Sequence, residues 1–235
     1  MERNKAKEYW DRNIGNWGKF YLDISNSDEE FDAPRWLTRL YRRFITPIEA
    51  KLMTQRFNHT ISFIDRHVRS GTVAVDIGCG TGIFTIEMLR RGASVKAVDI
   101  AQKSLSLTKS LVEDLVPQYA NKVEYLQMDV SQQRIPPSDV AIAMGVTPYV
   151  VNLADFYDNI LPTTNVFYCL VLDPSHWANV VRRILPILNV RRVHWFDRKL
   201  VDSLLAKHNW RLVSRENFAS GYLDIAVGPN FSDQD

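Results

Sequence analysis

The sequence predicts an α/β fold: a seven-stranded, mostly parallel sheet with helices on both faces, an antiparallel hairpin at its edge and a helical N-terminal cap. Three observations carry this. From residue 72 onward, short apolar runs alternate with stretches of helical periodicity, the grammar of parallel strands joined by crossover helices. The last two apolar runs adjoin across Ala219-Ser220-Gly221, as strands of a hairpin do. Residues 1–70, by contrast, hold helical spacing throughout.

The elements follow in order. In the cap, Asp32 can close a helix that carries Pro34 in its first turn, with apolar residues at Trp36, Leu37, Leu40, Tyr41 and Phe44. After Pro47 a second run passes through Ile48, Leu52, Phe57, Ile61, Ile64 and Val68, with a break expected near Asn58. Thr72–Ile77 is a continuous apolar run closed by glycines, as for a strand buried on both faces. A helix over Ile83–Arg91 stops at Gly92. Ser94–Val98 is the second strand, Lys103–Val116 a helix stopped by Pro117, Lys122–Gln127 the third strand and Val140–Met144 the fourth. A short helix over Phe156–Leu161 precedes a fifth strand over Asn165–Leu172, and the hairpin pairs Trp210–Phe218 with Tyr222–Val227. The domain reading is a helical cap or lid over 1–70 and a ligand-binding domain over 71–235, with a lid insertion at about 173–196.

Composition excludes several classes. The 235 residues are 46% hydrophobic and 24% charged, which suits a folded globular chain and not a disordered or low-complexity one. No apolar run reaches the roughly 18 residues a membrane helix needs. Met1–Asp11 is charged and lacks the apolar core of a signal peptide. With two cysteines, Cys79 and Cys169, a disulfide framework is excluded and a cytoplasmic location is expected. The net charge of +2 argues against a dedicated nucleic-acid binder.

That balance hides two basic stretches. Between residues 35 and 56, Arg35, Arg39, Arg42, Arg43, Lys51 and Arg56 face Glu49 alone. Between residues 176 and 199, Arg182, Arg183, Arg191, Arg192, Arg198 and Lys199 face Asp197 alone. Trp36, Tyr41 and Phe44 interleave the first, and Trp177, Trp195 and Phe196 the second. Both read as candidate contacts to an anionic acceptor or a membrane surface.

The chemistry concentrates in Val75-Asp76-Ile77-Gly78-Cys79-Gly80-Thr81-Gly82. Glycines at a strand-to-helix turn let backbone pass close under a ligand. A carboxylate two residues before the first glycine would repel a pyrophosphate but suits an ammonium group. Asp99, closing the second strand, can accept hydrogen bonds from both hydroxyls of a ribose. Asp129 follows the third strand, within reach of an adenine amino group. The five histidines show no metal-ligand spacing, and no metal site is expected.

In these residues the chain resembles the class I S-adenosylmethionine-dependent methyltransferases, whose Rossmann-like sheet also closes with an antiparallel hairpin. The resemblance covers roughly residues 72–228. It implies S-adenosyl-L-methionine as cofactor and S-adenosyl-L-homocysteine as product. It assigns Asp76, Gly78, Cys79, Gly80 and Gly82 to the methionine end, Asp99 and Ile100 to the ribose, and Asp129 and Val130 to the adenine. Met144 and Gly145, at the end of strand four, would also meet the methionine part. After them, Val146-Thr147-Pro148-Tyr149 departs from the Asn/Asp/Ser-Pro-Pro-aromatic run of amino-directed nucleic-acid methyltransferases, which disfavours base N-methylation. Oxygen, ahead of nitrogen, of a small or lipid-like acceptor is the expected target, as in the quinone and porphyrin O-methyltransferases. His194 and Tyr149 are the candidates for a base or an acceptor contact. An RNA-modifying enzyme and a non-catalytic cofactor-binding subunit stand as alternatives; the oligomeric state is left open.

Overall fold

The computed structural model describes residues 39, 43, 46–189 and 192–231. The cap residues before 39, including the Asp32 start and Trp36, lie outside the described residues. So do Arg35, Arg42 and Arg191 of the basic stretches.

A 22-residue helix, α1 (Thr46–His67), leads into the sheet. It runs unbroken through Asn58, against the break expected there. Asn58 is exposed, the neighbouring Phe57, Ile61 and Ile64 all pack on one face, and the Thr60 hydroxyl donates to Arg56 O at 2.8 Å. A polar residue on the solvent side of a well-packed helix costs only a fraction of a kcal/mol, roughly 0.5 at most, so packing decides.

The strands are β1 (Val73–Ile77), β2 (Ser94–Asp99), β3 (Val123–Gln127), β4 (Val140–Ala143), β5 (Val166–Leu172), β6 (Arg211–Phe218) and β7 (Gly221–Val227). The helices between them are α2 (Ile83–Arg90), α3 (Gln102–Leu115), α4 (Leu153–Ile160), α5 (Trp177–Ile184) and α6 (Arg198–Lys207). The sheet order is β3-β2-β1-β4-β5-β7-β6. The first five strands are parallel, while β7 pairs antiparallel with both β5 and β6.

Strand alternation sorts the core into two layers. Val75, Ile77, Ala141, Phe167 and Cys169 face α4 and α6 through Phe156, Tyr157, Val201 and Leu205. Ala74, Val140, Ile142, Tyr168 and Leu170 face α1 and α2 through Phe63, Ile64, Met88 and Leu89. Asp76 falls on the second face by the same period of two, and so beneath α2.

The chain leaves β1 toward β3, then returns to lay β4 on the other side of β1. This reversal opens a crevice beyond the carboxyl ends of β1 and β4, where doubly wound sheets bind their ligands. Cys79 and Cys169 are both buried free thiols.

Candidate functional site

The glycine turn lies at that crevice. Gly78, Gly80 and Gly82 all have positive φ, at 68°, 57° and 79°. Gly78 N and Cys79 N both donate to Val98 O, at 2.7 and 3.0 Å, pulling the turn across the end of β2. A Cβ on Gly78 would lie 2.3 Å from Val146 Cγ2, and one on Gly82 would lie 2.6 Å from Thr108 Cγ2. Glycine is thus required at both places by conformation and by space.

Thr108, on α3, escaped the sequence reading. Its hydroxyl donates to Gly80 O at 3.1 Å and lies 3.4 Å from Cys79 Sγ, so it pins the turn from outside. Its signal, one hydroxyl on the buried face of an amphipathic helix, reads as ordinary core in a sequence.

Two carboxyl groups close the crevice floor. Asp76 is 2% exposed, and its Oδ2 accepts the Thr85 hydroxyl at 2.7 Å. Burial pushes its pKa up from 3.8 to about 6, against the lowering effect of Thr85, with the Asp99 charge adding to the rise. Asp99 is 8% exposed; its Oδ2 accepts Gly80 N at 3.1 Å and its Oδ1 accepts Ala101 N at 2.8 Å. These bonds aim the carboxylate. Burial, then the Asp99 and Asp76 charges, hold the Cys79 thiol protonated, so it is no nucleophile.

Among the other sequence candidates, Ile100 follows Asp99, half-buried, and its carbonyl accepts Gln127 Nε2 at 3.2 Å. Asp129 accepts Ser131 N at 2.9 Å and Gln132 Nε2 at 3.0 Å, so its first task is to cap its own turn. Val130 is buried in the core beside it. Met144 is buried against the α1–α2 layer, and Gly145 follows with φ 88°.

Gly145 brings in Arg56, which the sequence placed in a basic stretch on the acceptor side and did not assign to the cofactor. A Cβ there would lie 2.9 Å from Arg56 Nη1, so the guanidinium of α1 rests on the backbone just after β4. His194 comes to the same turn from the other side, its N donating to Pro148 O at 2.7 Å. Tyr149 is half-buried in the 3₁₀ turn Thr147–Tyr149. Thr147, the first residue of that turn, is fastened by its hydroxyl to Leu170 O. Arg56, by its guanidinium, and His194, by its backbone amide, thus meet the one segment Gly145–Tyr149.

The arrangement offers two buried carboxyl groups at the carboxyl ends of β1 and β2, a turn with three glycines, and a guanidinium against the Gly145 backbone after β4. A ligand with an ammonium, a carboxylate and a vicinal diol matches that set group for group. The groove of about 670 Å³ lined by Ser138, Asn165, His208 and Trp210 lies at the other end of the sheet, where β1, β4 and β5 begin, and has no part in this site.

Residues 74–161 match the family model described as a methyltransferase domain. The chain is 29% identical to a mitochondrial ubiquinone biosynthesis O-methyltransferase of Schizosaccharomyces pombe, over 63% of this chain and 58% of that protein. It is 28% identical to a magnesium-protoporphyrin O-methyltransferase of Rhodobacter capsulatus, with the same shares of 63% and 58%. The chain thus spans somewhat more than half the length of these curated relatives. Among solved structures, magnesium protoporphyrin IX methyltransferase from Synechocystis PCC 6803 with bound SAH superposes with a TM-score of 0.73 at 15% identity, covering 97% of this chain and all of that one. This last likeness is one of fold.

Proposed function

The chain carries a class I S-adenosylmethionine-dependent methyltransferase domain, and from that premise we propose that it methylates an oxygen of a small or lipid-like, anionic acceptor. The observation that carries the reading is the pair of buried carboxyl groups, Asp76 and Asp99, on either side of a glycine turn at the reversal of strand order. S-adenosylmethionine supplies a sulfonium-bound methyl group: the carbon–oxygen bond to the acceptor forms as the carbon–sulfur bond breaks, and S-adenosylhomocysteine remains.

The chain's own residues bind, orient and exclude water. Asp76 balances the ammonium of the amino-acid end, and Arg56 at Gly145 holds its carboxylate. Asp99 accepts from the ribose hydroxyls. Ile100 and Val130 supply apolar contact to the adenine, with Asp129 at its amino edge. Because the methyl group arrives already activated, positioning does most of the catalytic work. A base is needed only to take the proton of a weakly acidic hydroxyl; His194 holds that place, with Tyr149 lining the acceptor side. The names of the relatives, which refer to ubiquinone biosynthesis and magnesium protoporphyrin, support a small O-linked acceptor, and the basic composition of segments 35–56 and 176–199 supports an anionic one.

The test has two stages. S-adenosylhomocysteine should bind the purified chain in calorimetry, and Asp99→Ala should weaken that binding by about 1–3 kcal/mol. Labelled S-adenosylmethionine should then pass its methyl group to phenolic or carboxylic acceptors of quinone or porphyrin type. Binding with no turnover on any acceptor would make the chain a cofactor-binding subunit instead. Turnover confined to neutral, water-soluble acceptors would remove the anionic one.

A further inference from the structure

Among the described residues no helix is long and apolar enough to cross a membrane. The segment between β5 and α6 nevertheless shows solvent an apolar surface that nothing among the described residues covers. On α5, Trp177 is 74% exposed, Val181 38% and Ile184 70%; Leu185 and Ile187 just beyond it are 51% and 55% exposed. At 100° per residue, positions 177, 181, 184 and 185 form one stripe. The only buried residue of the helix is polar: Asn179, whose Nδ2 donates to Asp173 O and Ser220 O, both at 2.7 Å. The helix is mounted inside out, held to the body by an amide, with its apolar face turned away.

We infer that this insertion is a docking surface for an anionic lipid bilayer. The charge beside the stripe selects the occupant. Arg182 and Arg183 lie on either side of it in the last turn, and Arg183 and Arg192 are exposed. A second copy of the same face would set these cations against each other, whereas acidic headgroups would neutralise them, each at about the strength of a tenfold gain or less. An apolar stripe with tryptophan, flanked by arginines, is the pattern of a helix lying in a membrane interface. Its position adds to the argument. The segment leaves β5 at the sheet end that carries the glycine turn, and its return is stitched there by His194 N to Pro148 O at 2.7 Å and Phe196 N to Leu172 O at 3.0 Å. A bilayer on this face would lie at the rim of the crevice. The inference goes beyond the methyl-transfer reading and does not rest on it.

The experiment is co-sedimentation of the whole chain with large vesicles of phosphatidylcholine, with and without phosphatidylglycerol. Binding is expected only when phosphatidylglycerol is present, and it should weaken with added salt. Trp177→Ser with Ile184→Ser should lower the partition coefficient at least about tenfold, and Arg183→Glu should lower it on the anionic vesicles. Both variants should keep the parent's circular-dichroism melting temperature, which separates lost docking from lost folding. Equal binding to both vesicle types, or no binding to either, would overturn the inference. So would a double variant that sediments like the parent, or a concentration-dependent dimer in sedimentation velocity that the double variant abolishes.

Discussion

The glycine turn after β1 and the insertion after β5 lie at the same end of the sheet and are built on opposite principles. At the turn, charge is inside: two carboxyl groups are buried, fixed by Thr85 and by the amides of Gly80 and Ala101. At the insertion, apolar surface is outside, and the group that anchors it is a buried amide. Neither arrangement stabilises the isolated fold, because a buried carboxylate costs desolvation energy and an exposed indole gains nothing from folding. A ligand offsets the first and a partner surface the second. The turn should therefore respond to small molecules and the insertion to interfaces, and variants that separate the two responses test the comparison.

The largest effect is expected at Gly78. Alanine there must adopt φ 68° and place its Cβ 2.3 Å from Val146 Cγ2. A left-handed alanine costs roughly 1–2 kcal/mol and overpacking roughly 1–3 more. Gly78→Ala should lower stability by about 2–5 kcal/mol in a denaturant melt and abolish detectable S-adenosylhomocysteine binding. A variant that melts like the parent would mean the turn is looser than the contact implies.

Asp76 tests the buried charge directly. Its folded pKa, about 6, stands above the ordinary 3.8. The stability it contributes is therefore fully present below about pH 4 and is lost as pH rises through about 6, in all about 3 kcal/mol. Asp76→Asn removes that loss. Without ligand the variant should melt higher than the parent at pH 8, with the difference vanishing near pH 4. Affinity for S-adenosylhomocysteine, which carries the ammonium, should rise with pH through about 6 in the parent and stay flat and weak in the variant. A variant that melts no higher at pH 8 yet binds as the parent does would break the assignment of Asp76 to the ammonium.

What the sequence made legible divides along the same line. All seven strands lie within one residue of their expected ends: the parallel strands read as short apolar runs between breakers, and the antiparallel pair β6–β7 is set by the short Ala219-Ser220-Gly221 turn between its two runs. Asp76, the three glycines and Asp99 were legible because strand ends fix their positions. The places of Arg56 and Thr108 were not, since an arginine on one helix meets Gly145, and a threonine on another meets the glycine turn, only after the sheet is assembled. Asp129 was legible as a carboxylate, but its local bonds to Ser131 and Gln132 depend on backbone geometry. The stripe of α5 was visible as a period, yet a period says only that a helix has two faces. Which face points inward was decided by Asn179 and the two carbonyls it reaches.

Asn179 is the next point at which to separate the regions. Asn179→Ala leaves Asp173 O and Ser220 O without the amide and removes the acceptor of Arg182 Nη1 at 3.1 Å. The expected cost is about 1–3 kcal/mol. It should fall on the insertion alone, as faster hydrogen exchange over residues 177–187 with unchanged affinity for S-adenosylhomocysteine. Weakened ligand binding would show that the two regions are coupled through the Pro148–His194 stitch.

The smallest effect is expected at one of a matched pair of isoleucines, Ile184. Ile86 on α2 is 5% exposed and Ile184 on α5 is 70% exposed, each on a helix of eight residues. Truncation of Ile86 to alanine empties a packed site in the α1–α2 layer of the core and should cost about 2–5 kcal/mol. Ile184→Ala removes the same atoms from a position already in water, so the melting free energy should stay within about 0.5 kcal/mol of the parent. Loss of stability at Ile184 comparable to that at Ile86 would mean the outward face of α5 is covered in solution by the chain itself. Near-silence there, beside a large loss at Ile86, is what an apolar surface kept for something outside the fold requires.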